Sequence, residues 1–244
     1  MTPALLAAAL LAAPLWPSAR ADVPQGQKLY DQGDYPGAAA WYAQAAAADP
    51  RDAALRYDLG NALFKDGKTG RAIASYQRAF DMCPRDADMR HNLDYALRRA
   101  GEELVPAGAP PLLFLAFHLF SERELAGLQW LACWLALILA GLCLRRESLR
   151  EALLPGTATA LALWLGLGGW WLAVRGGISP PRRGVIVASS AELRSGPGES
   201  FSVSFTVPEG RRVQVLSANG AWLELGLVKE GVKGWLPASA VEEI

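Results

Sequence analysis

Apolar and polar positions follow four successive patterns along the chain. Residues 4–16, ALLAAALLAAPLW, form one short unbroken apolar run. From residue 22 to residue 101 apolar side chains recur at helical spacing among charges, and glycine or proline interrupts them at even intervals, which predicts a series of short helices. Residues 126–144 and 157–174 are uncharged apolar runs of 19 and 18 residues, the length a helix needs to cross a bilayer. From residue 184 onward the pattern changes to alternation, as in RRVQVL and AWLELGL. Glycine, asparagine and proline turns separate these runs, so about five short strands are expected.

The first run is too short to span a hydrocarbon core of roughly 30 Å. It is followed by PSARAD, in which Ala19 and Ala21 make a small-x-small cleavage pattern. Residues 1–21 are therefore expected to be a signal peptide, with Asp22 opening the mature chain. The alternative is an uncleaved anchor.

Set against itself at an offset of 34, the second segment repeats. Gly26 meets Gly60, Gly33 meets Gly67, Ala38 meets Ala72, Tyr42 meets Tyr76 and Pro50 meets Pro84. A partial third copy follows, pairing Leu59 with Leu93, Leu63 with Leu97 and Gly67 with Gly101. Gly60 and Ala72 are small enough for two helices to approach closely, and Pro84 ends a second helix. Gly67 suits the left-handed residue at a helix end. The stretch Gly67-Lys68-Thr69 has the last letters of a phosphate-binding loop, but the first glycine that motif requires is Ala62, in the middle of a helix. The equivalent turn, Gly33-Asp34-Tyr35, has neither lysine nor threonine. Gly67-Lys68-Thr69 is read as a helix-hairpin turn.

Through YDLGNALFKDGKTGRAIASYQRAFDMCPRD and its period, residues 22–101 resemble the tetratricopeptide family. That resemblance implies an all-α array whose first helices line a groove for a peptide or partner protein. Tyr57, Asn61, Phe64 and Lys65 would point into it, joined by His91, Tyr95 and Arg98.

Residues 102–125 read as a linker, with helix-breaking PAGAPP, and an apolar segment that Glu122, Arg123 and Glu124 hold at a membrane interface. Residues 126–174 then form a transmembrane helical hairpin. Its connector carries Arg145, Arg146 and Arg150, but Arg123, Arg175, Arg182 and Arg183 flank the other side, so the export signal sets the expectation: connector in the cytoplasm, both polar units outside. Two stripes of small residues, Ala132, Ala136, Ala140 and Ala158, Ala162, Gly166, are spaced to let the spans pack, the alternative being chance in an alanine-rich chain. Neither span contains Asp, Glu, Lys, Arg or His, so no proton relay is expected.

Residues 184–244 resemble the bacterial SH3-like family through ELRSGPG, VPEGRRVQVL, AWLEL and KGWLPASAVEEI. About five strands in this length suggest a compact all-β barrel. Trp222 and Trp235 stand at alternating strand positions, where an aromatic is expected in the core, the alternative being a ligand platform. The aromatic that polyproline-binding relatives carry after GWLP is replaced by Ala240, which turns the expectation toward cell-wall peptides or a neighbouring domain.

Composition narrows the functional classes. Lysine plus arginine number 24 and acids 24, with no basic stripe, so a nucleic-acid partner is not expected. Cys83, Cys133 and Cys143 have no paired partner, and the only histidines, His91 and His118, stand in unlike contexts, so neither metal site nor cofactor is expected. No nucleophile, base and orienter group together, and an enzyme is not expected.

The order of signal peptide, tetratricopeptide array, membrane hairpin and SH3-like unit resembles the BatE-type proteins of bacterial aerotolerance operons. The resemblance implies von Willebrand A-domain membrane proteins as partners, and the expected role is a non-enzymatic scaffold in the inner membrane, with the repeat groove holding a partner and the hairpin fixing it there. The alternative is an envelope sensor whose SH3-like unit binds peptidoglycan.

Overall fold

The computed structural model describes residues 23–105, 110–176, 182–227 and 229–244. The expected signal peptide lies outside them. Five helices form the first unit: α1 (Val23–Asp31), α2 (Tyr35–Ala48), α3 (Ala53–Lys65), α4 (Thr69–Met82) and α5 (Ala87–Arg99). Gly33, Gly67 and Gly101, each 34 residues from the next, turn the chain with φ of 79°, 80° and 74°. A side chain in that left-handed region costs about 1–2 kcal/mol, so glycine is the economical residue there. Helix starts repeat as well. The Asp52 carboxylate accepts from the amides of Ala54 and Leu55, and Asp86 does the same for Asp88 and Met89. At Gly60 a Cβ would sit 2.5 Å from the Tyr76 ring, so the absent side chain is what lets α3 and α4 approach. Tyr42, Ile73, Phe80, Leu93 and Leu97 are the largest fully buried side chains of the helical core. Gly67-Lys68-Thr69 is the turn into α4 and follows a helix.

A short helix, α6 (Pro111–Phe117), leads to α7 (Glu122–Arg145) and α8 (Glu147–Gly176). Ser121 and Glu124 close a reciprocal capping box that starts α7. Both α7 and α8 are long and apolar enough to cross a membrane. They run antiparallel: Cys143 Sγ is 3.6 Å from Thr157 Oγ1 near the connector, while Gln129 lies against Gly168 toward the other end. The charged connector is largely helical, because α8 begins at Glu147 and runs through Pro155. Ala132 is buried and Ala136 and Ala140 half-buried, as a packing stripe requires, but Ala158, Ala162 and Gly166 are exposed. Ala160 and Gly168 take that role on α8 instead, since they are its buried positions among the described residues.

The third unit is an antiparallel sheet of β1 (Arg183–Ile186), β2 (Ser190–Arg194), β3 (Val203–Pro208), β4 (Arg212–Asn219), β5 (Trp222–Leu227), β6 (Val232–Pro237) and β7 (Val241–Glu243). A 3-10 turn, Ala238–Ala240, precedes β7. The strand order is β3-β2-β6-β5-β4-β1-β7. The expected barrel is thus not closed: β3 and β7 end the order without pairing, and β7 has α4 beside it where β3 would close the ring. Leu193, Leu225, Leu227 and Leu236 fill its core. Trp222 and Trp235 are not among these core residues. They alternate with buried Leu223 and Leu236 and lie half-buried on the other face, Trp235 opposite both Glu224 and Arg194.

The sheet is docked on the helices. Val185 of β1 is fully buried within the helical core. Buried Glu102, just past α5, meets Arg211 at 3.0 Å and Arg212 at 3.4 Å. Asp81 pairs with Arg183 at 2.9 Å, and Arg78 with Glu242. Lys68 supplies no side-chain cap to α4, and Glu209 replaces it by accepting the Gly70 amide at 2.7 Å. The first turn of α4 is thereby completed by a residue of the sheet.

Candidate functional site

Successive repeats place α5 beside α3, and a polar row forms between them. The Tyr76 hydroxyl donates to Asn61 Oδ1 at 2.7 Å. Asn92 Nδ2 donates to the same oxygen at 3.0 Å and to the Tyr57 hydroxyl at 2.8 Å. These bonds hold the Asn61 amide and both phenols in fixed positions. Burial raises the pKa of Tyr57 and Tyr76 above the usual phenol value, so both stay neutral donors. Toward the C-terminal ends of the helices, Phe64 and Tyr95 meet edge to face at 5.7 Å, and the Arg99 guanidinium lies 5.5 Å over the Phe64 ring. Tyr95 is 57% exposed, which leaves one side of this aromatic step available to a ligand.

Asp58 is half-buried beside the row. Burial pushes its carboxyl from 3.8 up to about 6, with Asp52 adding to the rise and a hydrogen bond from Asn61 opposing it.

Of the seven residues expected in the groove, Tyr57, Asn61, Phe64 and Tyr95 come together. Lys65 is exposed at the end of α3. His91 and Arg98 lie elsewhere. They line an open cleft of about 940 Å³ bounded by α5, α6 and residues 103–105. The reason is positional. His91 and Arg98 stand 34 residues after Tyr57 and Phe64, whose side chains meet the following repeat. No fourth copy follows α5 in the period, and α6 approaches that face instead. His118, just after α6, stacks on Phe80 at 5.2 Å and lies 4.1 Å from Phe114.

Asn92, Asp58 and Arg99 were not among the expected groove residues. The period itself contained the signal: Asn92 is the equivalent of Asp58, and Arg99 of Lys65, so a polar position on each first helix recurs on the same face. On the sheet, Phe201, Val203 and Phe205 alternate along and before β3 and are 44%, 46% and 38% exposed. Arg194 braces the loop before them by donating to the carbonyls of Glu199 and Phe201.

Residues 23–87 match the family model of a tetratricopeptide repeat, and residues 189–242 match that of a bacterial SH3 domain. No curated protein matches the chain. A chain joining these two kinds of domain fits roles in binding protein or peptidoglycan.

Proposed function

We propose that the chain is a non-enzymatic scaffold anchored in a bacterial inner membrane, holding a partner protein against its tetratricopeptide helices. The observation that carries this reading is the row formed by Tyr57, Asn61 and Asn92, braced from the core by buried Tyr76, with the aromatic step of Phe64 and Tyr95 beside it. Phenols, amides and stacked rings are groups for recognition by hydrogen bonding and contact. Their mutual bonds fix them before a ligand arrives, which lowers the ordering cost of binding. The two apolar helices supply the anchor. Arg85 pairs with Glu124 at the start of α7, and the sheet packs on α4, so both polar units gather at one end of the hairpin. With an export signal, that end faces away from the cytoplasm. Tethering at one surface raises the effective concentration of both units for a membrane-bound partner.

The resemblance to BatE-type proteins makes von Willebrand A-domain membrane proteins the partners to seek. Crosslinking in intact membranes, recovery through a C-terminal tag and mass spectrometry test this. Recovery of such proteins at crosslinks within residues 53–101 supports the scaffold, and loss of the crosslink in a Tyr57→Ala, Tyr95→Ala variant ties it to the groove. Recovery of wall fragments alone sinks it. That outcome belongs to a second reading, peptidoglycan binding through the sheet, which the exposed Phe201, Val203 and Phe205 favour. The full chain should then sediment with purified cell wall and cease to do so as Phe205→Ser.

A further inference from the structure

We propose that the cleft between α5 and α6 is a headgroup site for an acidic phospholipid, phosphatidylglycerol in kind. The inference rests on the reading above that α7 and α8 cross a membrane. The cleft has a volume of about 940 Å³ and walls of two characters. Leu115 and Leu119 line it while remaining 53% and 45% exposed, and Leu112 one turn earlier is 82% exposed. Opposite them stand Arg90, His91 and Arg98 of α5 and Arg85 of the turn before it.

Position gives this arrangement a direction. Arg85 pairs with Glu124 in the first turn of α7, and its guanidinium lies 5.7 Å over the Phe120 ring. Leu119 precedes α7 by three residues. The cleft therefore lies where the apolar span meets its polar flank, at the level of lipid headgroups once the hairpin is in a bilayer. A phosphodiester needs cationic donors there, and its acyl chains need apolar surface leading toward the span. The cleft offers both.

The charges specify the headgroup further. Arg85 and Arg98 already have acidic partners, Glu124 and Asp94, whereas Arg90 has no ion pair among the described residues. Arg90 is thus the cation open to a phosphate, and the Arg98 guanidinium keeps further N–H donors. Asp94 and Glu103, also in the lining, accept hydrogen bonds and suit the hydroxyls of a glycerol headgroup. A soluble peptide carboxylate could reach the same arginines but would leave Leu112, Leu115 and Leu119 in water.

The test uses the full chain. Native mass spectrometry in mild detergent, with phosphatidylglycerol or phosphatidylcholine added, reads the first bound lipid. Preference for phosphatidylglycerol by about fivefold per cationic contact is expected. It should collapse in Arg90→Gln with His91→Gln, both exposed and without partners among the described residues. A Leu115→Ser variant should weaken both lipids equally. Equal binding of the two lipids, or an unchanged preference in the double variant, overturns the site. Binding of glycerol 3-phosphate as tight as that of phosphatidylglycerol would also overturn it, by showing a soluble-anion site to which Leu112, Leu115 and Leu119 contribute nothing. Flotation with phosphatidylcholine vesicles separates the two readings: a wild-type chain that fails to float sinks the membrane anchor itself, whereas one that floats without headgroup preference sinks only the site.

Discussion

A methyl group at position 70 tests whether the sheet is held on the helices as described. Gly70 is the second residue of α4, where alanine is the better helix former by about 1 kcal/mol. Taken alone, Gly70→Ala should strengthen the helical array. Its Cβ, however, would lie well inside 3.0 Å of the Ile186 carbonyl oxygen and 3.0 Å from Val187 Cα. These are backbone atoms and cannot rotate away, so β1 must withdraw by on the order of 1 Å to restore ordinary contact. What holds β1 in place is the buried Val185, worth about 1.5–3 kcal/mol, and the hydrogen bonds of Glu102 and Glu209 to partners across the interface, about 1.5–3 kcal/mol each before coupling. Half-exposed pairs such as Asp81 with Arg183 add about 0–1 kcal/mol. If the clash removes about 2 kcal/mol of this, the undocked population rises roughly thirtyfold. Hydrogen exchange on the full chain in detergent reads that change. The amide at position 70, whose acceptor is Glu209 of the sheet, should exchange faster by about that factor, while those of α2 and α3 exchange as before or more slowly. Unchanged protection at position 70 would refute the docking geometry.

Glu102→Ala should cost about 3 kcal/mol by chemical denaturation, because it leaves Arg212, whose pKa burial already lowers, without its carboxylate. Asp58 makes stability pH-dependent in the unusual direction for an acid. Its folded pKa of about 6 lies above the unfolded value of 3.8, so the penalty is absent below about pH 4 and complete above about pH 6. Asp58→Asn should flatten that profile and raise stability at pH 7 by on the order of 1 kcal/mol, allowing for solvent screening of a half-buried group. Equal denaturation midpoints at pH 4.5 and pH 7 in the wild type would contradict the assignment. Asn92→Leu should cost about 1–2 kcal/mol by thermal denaturation, since it strips the Tyr57 hydroxyl and Asn61 of a shared donor.

The features legible in the sequence are those whose causes are local. Gly33, Gly67 and Gly101 mark helix ends because a left-handed turn discriminates among residue types at a single position. The close approach of α3 and α4 could be read from Gly60 and Tyr76 because the period brings the same pair back as Gly26 and Tyr42. Apolar length alone marks α7 and α8 as candidate spans. The register of first helices likewise placed Tyr57, Asn61, Phe64 and Tyr95 on one face, where the structure brings their side chains together.

The tertiary structure decided what joins residues far apart in the chain. Lys68 gives no hint that α4 is capped by Glu209, 139 residues later. Val185 stands in the apolar run GVIV like any buried strand residue, yet it completes the helical core rather than that of the sheet. The expected barrel stays open where α4 stands beside β7, and β7 carries no mark of that neighbour. His91 and Arg98 fit the register of the groove, but the repeat that would have received them is absent and α6 comes there instead, leaving a cleft. Periodicity reports which face of an element is buried. It does not report against what, because contacts between distant segments repeat at no interval.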